Sequence, residues 1–140
     1  MQIKIKKIKE GAKLPSYAHP GDVGMDVYAM EEVTIQPGEH YRFYHGFALE
    51  VPEGYGVFVK DKSSISKAGL HTMGGIFDAG FRGEYNTHLV NLSNEPYTIE
   101  VGDKVSQLVV MQIPRAELVE VEELSESARG EGQFGSTGKK

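Results

Sequence analysis

Five short stretches of this 140-residue chain carry side chains that can do chemistry: His19 to Asp26, Lys62-Ser63-Ser64, Gly75 to Gly83, Gly102 to Leu108, and Arg129 to Gly138. Asp78 follows Ile76-Phe77 and precedes Ala79-Gly80. An Asp before a Gly at a strand end is ordinarily a turn former. The alternative is a general base, a carboxylate held by a hairpin and able to polarise a water. Asp26 follows Gly24-Met25 and reads as a capping or pairing carboxylate inside a loop. Lys62-Ser63-Ser64 is either an exposed turn with a helix cap or a phosphate site made of a cation, two hydroxyls and free backbone N–H groups. Gln107 lies inside an otherwise apolar run. A buried amide needs partners, so it either satisfies a neighbouring backbone or faces a cleft and binds an acceptor such as phosphate.

The last stretch is glycine-rich and ends Gly138-Lys139-Lys140. It is not a phosphate loop. That pattern needs Gly, four residues, Gly-Lys and then Ser or Thr at the start of a helix. Here Gln133 stands where the first Gly belongs and Lys140 replaces the hydroxyl residue. What remains is an arm carrying Arg129, Phe134, Ser136 and Thr137. A cation, a stacking ring and two hydroxyls suit a nucleotide. The histidines at 19, 40, 45, 71 and 88 show no metal-ligand spacing. No Ser/His/Asp order with a nucleophile elbow occurs.

Composition narrows the classes. Fifteen Lys plus Arg stand against twenty Asp plus Glu, a net charge of −5, with a pI near 5.5. Stable binding to a nucleic-acid backbone calls for the opposite sign. There is no Cys, which removes disulfides, thiolate nucleophiles and zinc-thiolate sites together. The N-terminal run Met1 to Lys9 is interrupted by lysines and lacks the apolar core of a signal peptide. No stretch approaches the roughly eighteen apolar residues of a membrane span. The expectation is a cytoplasmic protein with no membrane partner. Asn91-Leu92-Ser93 matches a glycosylation sequon by chance on this reading.

The elements that must position these residues are strands. Ile3 to Lys6, Val33 to Ile35, Tyr41 to Val51, Tyr55 to Val59, Thr87 to Leu92 and Tyr97 to Val101 alternate or are rich in β-branched and aromatic residues. Turns fall at Gln36-Pro37-Gly38-Glu39, Pro52-Glu53-Gly54 and Ser93-Asn94-Glu95-Pro96. Val105 to Ile113 is nearly all apolar and is expected to be a central strand buried on both faces. Ala116 to Leu124 alternates again. The aromatics Tyr41, Phe43, Tyr44 and Phe47 belong to the core or to a subunit contact. One short helix is expected after Lys62, with Ser63 and Ser64 as caps and Gly69 as its stop. The fold class is all-β, an antiparallel sandwich or barrel. The core domain is expected over 1–124. Residues 125–140 hold a single large apolar side chain and form an arm that is mobile when alone.

In this order the five stretches resemble the five motifs of the homotrimeric dUTPase family, over nearly the whole chain from about Pro20 to Gly138. Asp78-Ala79-Gly80-Phe81-Arg82-Gly83-Glu84 resembles the third motif, and Arg129 to Gly138 the fifth. Gly102 to Leu108 is similar to the fourth, Gly21 to Asp26 to the first, and Lys62-Ser63-Ser64 more loosely to the second. The resemblance implies a jelly-roll-like, β-clip subunit and a homotrimer with active sites shared between subunits. It also implies hydrolysis of dUTP to dUMP and pyrophosphate with Mg²⁺, which limits uracil incorporation into DNA and supplies dUMP for dTMP synthesis.

Roles follow from the same resemblance. Asp78 would deprotonate the water that attacks the α-phosphorus, and Asp26 would touch Mg²⁺ through a water at most. Lys62, Ser63, Ser64 and Gln107 would hold phosphate oxygens. The arm would close over the nucleotide, with Arg129, Gly135, Ser136 and Thr137 on the phosphates and Phe134 stacked on uracil. Backbone groups at Gly75 and Ile76 would read the base edge, and the Phe81 ring would leave no room for a 2′-hydroxyl. Three positions depart from the family pattern. Lys62 stands where Arg is usual and cannot make its planar two-pronged contact, Phe81 stands where Tyr is common, and Gln133 replaces a usual Gly. One rival is a non-catalytic nucleotide-binding regulatory trimer. A second is a dCTP deaminase-type enzyme, which needs a catalytic Glu where this chain has His88. A third is a plain trimeric β scaffold.

Overall fold

The structure is a computed structural model that describes residues 1–132. Every strand pairing in it is antiparallel. The strands are β1 (Lys4–Lys7), β2 (Gly24–Tyr28), β3 (Val33–Ile35), β4 (His40–Tyr44), β5 (Phe47–Glu50) and β6 (Tyr55–Lys60). After helix α1 (Ser63–Lys67) come β7 (Leu70–Thr72), β8 (Ile76–Phe77), β9 (Asn86–Asn91), β10 (Tyr97–Ile99) and β11 (Lys104–Gln112). A four-stranded sheet runs β2-β11-β6-β8, and a three-stranded sheet runs β4-β9-β7. Two further pairs, β1-β5 and β10-β3, form two-stranded ribbons.

Alternation explains most of this. In β9 the side chains run half-buried, buried, half-buried, buried from Asn86 to Asn91, one face on the core and one toward the outside. Two apolar clusters form the interior. One gathers Val27, Phe47, Leu49, Val57, Tyr85 and Leu108, the other Ile35, Phe43, Ile65, Leu70, Leu89 and Ile99. Phe43 and Phe47 are wholly buried, each worth about 2 to 3 kcal/mol in removed apolar surface. Of the other two aromatics, Tyr41 packs against the second cluster and Tyr44 is exposed. The strand expected over Tyr41 to Val51 breaks in two at His45-Gly46.

A polar chain runs beside the first cluster. His45, 1 % exposed, sits between the Tyr28 carbonyl and Thr87. Since a carbonyl only accepts, His45 Nδ1 donates to Tyr28 O at 2.9 Å. Its neutral Nε2 then accepts from the Thr87 hydroxyl at 2.8 Å, and Thr87 Oγ1 accepts from Ser106 at 2.7 Å. Burial above all pushes His45 down to about 4.

Three expectations are corrected. β11 is central, between β2 and β6, but only its first half is buried; Met111 and Gln112 are exposed. Ala116 to Leu124 forms no strand. Its Leu118 is 95 % exposed, because no neighbouring strand among the described residues offers it a ladder. Ser63 and Ser64 do not cap α1: Lys62 is the N-cap and makes no side-chain capping bond. Gly69 ends the helix as expected, with φ +87°, a conformation that costs Gly little.

Candidate active site

β8 and the loop after it carry the first group of candidates. Asp78 leaves β8 and opens a turn, its carbonyl accepting from Phe81 N–H at 3.0 Å. The turn reading and the chemical one therefore coexist. The loop is braced by Arg82, whose guanidinium donates to the carbonyls of Ala79 and Phe81. The Asp78 side chain is exposed. It lines a cleft of about 550 Å³ together with Gly75, Ile76 and Phe81.

The walls of that cleft are fixed by close packing. Gly75 has φ +106°, and a Cβ there would lie 2.7 Å from the Val59 side chain, so any larger residue would push the β8 arm off β6. Its carbonyl accepts from Val59 N–H at 2.7 Å. The Phe81 ring lies over Gly83, where a Cβ would come within 2.6 Å of it. On its other side Phe81 meets Phe77, at 5.1 Å between centroids, and Tyr85, at 5.8 Å. The ring is held from both sides before any ligand arrives. His88, at the position where deamination needs a Glu, lines the same cleft. It pairs with His40 at 2.9 Å.

β2, β11 and the start of α1 carry the second group. The register sets Asp26 directly opposite Gln107. Asp26 is on a strand rather than in a loop, and it is buried. Its Oδ1 accepts from Lys62 Nζ at 2.9 Å and its Oδ2 from Lys104 Nζ at 2.6 Å. Burial by itself would raise this carboxyl. The hydrogen bonds and charges of Lys104 and Lys62 outweigh it and hold the group below the ordinary carboxylate value. Gln107 donates from Nε2 to the Asp61 carbonyl at 2.8 Å, which engages one of the two N–H groups of its amide. Asp61 in turn accepts from Thr72 N–H at 2.7 Å and from His71 at 2.6 Å. That strap fixes the approach to α1. Lys62, Ser64 and Lys104 line a depression of about 290 Å³.

The structure thus gathers Gly75, Ile76, Asp78 and Phe81 in one place, and Asp26, Lys62, Ser64 and Gln107 in another. Ser63 is exposed at the first position of α1. Arg129 reaches neither group; its Nε donates to the Gly132 carbonyl at 3.0 Å. Phe134, Gly135, Ser136 and Thr137 lie outside the described residues. Lys104 was visible in the sequence only as part of a motif, without a role. Its place beside Asp26 depends on a strand register that no local pattern announces.

A family model described as dUTPase matches residues 10–138. The chain belongs to the dUTPase family. Among curated members, the deoxyuridine 5'-triphosphate nucleotidohydrolase of Clostridium tetani is 41% identical, over 98% of this chain and 97% of its own length. That of Leifsonia xyli subsp. xyli is 45% identical over 90% and 86% respectively. The solved dUTPase of Staphylococcus bacteriophage 80alpha with dUpNHpp superposes with a TM-score of 0.91 at 28% identity, covering 98% of both chains. A mutant dUTPase from phage phi11 of S. aureus, described for its coordination of a structural Mg(II) ion, superposes with a TM-score of 0.83 at 25% identity. It covers 90% of this chain and all of that one. The expected β fold is the dUTPase fold.

Membership raises the question of the metal. Among the described residues no three His, Asp or Glu converge on one point, and both oxygens of Asp26 are already held by ammonium groups. The donor set fits an ion whose ligands are phosphates and waters, as Mg²⁺ prefers, and not one caged by protein. Among the described residues no helix is long and apolar enough to cross a membrane.

Proposed function

We propose that this chain hydrolyses dUTP to dUMP and pyrophosphate with Mg²⁺, as a homotrimer whose active sites combine residues of different subunits. The observation that carries the reading is the exposed Asp78 carboxylate on the rim of a cleft walled by the β8 arm and the Phe81 ring. The cleft suits a nucleoside: backbone groups at Gly75 and Ile76 meet the base edge, and the pre-set Phe81 ring lies against the sugar. A pocket that pairs uracil's polar edge leaves cytosine's amino group unpaired.

Asp78 takes a proton from a water as the water oxygen bonds to the α-phosphorus. The bond from that phosphorus to its bridging oxygen breaks, and pyrophosphate leaves with the electron pair. Lys62, Ser63, Ser64 and Gln107 hold phosphate oxygens, stabilising charge that grows on the leaving group. Bound with the nucleotide, Mg²⁺ supplies partial neutralisation of the triphosphate. Arg129, Gly135, Ser136 and Thr137 cover the phosphates and Phe134 stacks on the base when the 125–140 arm closes. The trimer reading is supported by the two residue groups lining different depressions that have no lining residue in common. One nucleotide needs both, and a second copy that brings its Lys62 group to the Asp78 cleft completes the site.

The test is Asp78→Asn. Pyrophosphate release from dUTP falls at least about a thousandfold, while dUTP binding measured by calorimetry persists. Preserved turnover removes Asp78 as the base. Wild-type binding of dUTP without pyrophosphate release turns the reading to a regulatory nucleotide-binding trimer.

A further inference from the structure

Asp26 is the buried centre of a three-charge cluster, one carboxylate between two ammonium groups. The second ammonium is there because of an irregularity in β11. Ser106 pairs with Val27 and Gln107 with Asp26, but Lys104 pairs with Tyr28, so the register shifts by one between Lys104 and Ser106. In a regular strand Lys104 would point to the opposite face from Gln107, since their separation is odd. The extra residue turns it onto the face that carries Asp26 and Gln107. Val105 and Ser106, consecutive and both fully buried, mark the bulge from the inside.

The two lysines are not equivalent. Lys62 opens α1 and shares the smaller depression with Ser64, while Lys104 lines it from the start of β11, with Gly102 and Asp103. The Asp103 carboxylate is occupied within its own turn, accepting from Glu100 N–H at 2.9 Å. The two lysines face the carboxylates of Asp26 and Asp103, so the charges of the depression balance, and a phosphate that replaces Asp26 at Lys62 exchanges one anionic partner for another. For Lys62 to reach that anion it must leave Asp26. Stripping a buried carboxylate of its only partner is strongly unfavourable. With Lys104 in place, Asp26 is never stripped.

We propose that Lys104 is a positioning residue for phosphate binding: it retains the Asp26 carboxylate so that Lys62 is free to exchange that carboxylate for a phosphate of the nucleotide. This rests on the nucleotide reading above. It assigns Lys104 no contact with substrate. Without Lys104, Lys62 becomes the sole partner of Asp26 and is locked to it.

The experiment measures binding of dUpNHpp and of deoxyuridine by calorimetry, in buffer free of divalent ions. In Lys104→Met, dUpNHpp binds about tenfold more weakly and deoxyuridine is unaffected, because only the phosphate grip is lost. In the double variant Asp26→Asn with Lys104→Met, dUpNHpp affinity returns to within about threefold of wild type, since Lys62 no longer has a charge to hold it. A purely structural Lys104 does not predict that recovery. Unchanged binding in Lys104→Met overturns the proposal, and so does an unrecovered double variant. If Lys104→Met does not fold, Asp26→Asn alone decides: dUpNHpp binds at least as tightly as in wild type, and weaker binding overturns the proposal. A wild-type chain that fails to bind dUpNHpp overturns the nucleotide reading itself, a separate outcome.

Discussion

Lowering the pH from 7 toward 5 destabilises this protein through His45. The imidazole is enclosed, with Nδ1–H on the Tyr28 carbonyl and Nε2 accepting from Thr87, and burial holds its pKa at about 4. In the unfolded chain it titrates near 6.5. A depressed folded value means that the unfolded state takes up the proton first. The contribution is whole above about pH 6.5 and lost as the pH falls toward about 4. Each unit in that window is worth about 1.4 kcal/mol, which integrates to about 2 kcal/mol between pH 7 and pH 5 and about 3 kcal/mol by pH 4. Partial burial first, then Arg42 and His40, also hold His88 below its ordinary value, adding a loss of the same sign. The assay is urea unfolding at about pH 7 and about pH 5, at one fixed protomer concentration because assembly adds to apparent stability. His45→Gln keeps a donor and an acceptor but cannot titrate, so its stability changes by about 2 kcal/mol less across that interval than wild type. Parallel pH dependence in the two proteins refutes the reasoning, for it places the acid sensitivity elsewhere.

Three further outcomes are expected. Tyr85 is wholly buried and its hydroxyl has no hydrogen-bond partner among the described residues, and burial pushes its pKa up to about 12. Tyr85→Phe keeps the ring against Phe47 and Phe77. It stabilises by about 1 to 2 kcal/mol, a rise of about 3 to 6 °C in calorimetry; a fall shows that the hydroxyl is satisfied in solution. Gly83→Ala drives a methyl into the Phe81 ring. It raises kcat/KM for UTP relative to dUTP by about tenfold, and an unaltered ratio removes Phe81 from sugar selection. Truncation before Ser127 leaves a folded assembly by circular dichroism with pyrophosphate release reduced at least about a hundredfold, whereas loss of the fold makes the arm a structural element.

What the sequence discloses tracks what local physics dictates. β3, β6, β9 and β10 follow from alternation between turn residues, and each pairs within the chain. β2 was hidden because Gly24-Met25-Asp26 looks like a loop. It is a strand because β11 lies beside it, and a Gly there accommodates the Gln107 amide, which a Cβ would meet at 2.1 Å. β7 and β8 hold three and two residues, too few to show a period. Ala116 to Leu124 has the period without a pairing strand among the described residues. At the site, Asp78 and its glycine neighbours were legible as a hairpin end, and Gln107 as an amide in need of a partner. The engagement of Asp26 by two lysines was not, because it depends on a one-residue bulge and on side chains distant in the chain.

α1 is little more than one turn. It has no side-chain cap, and Ile65 is its only buried residue. A helix so short has no stability of its own and persists only while Ile65 stays docked in the core. Local opening of α1 therefore takes less free energy than unfolding the sheets around it. If Lys62 and Ser64 grip the triphosphate as proposed, that grip is lost on heating while spectroscopy still reports intact β structure. Thermal inactivation is then expected to precede melting, and to reverse on cooling as the helix docks again.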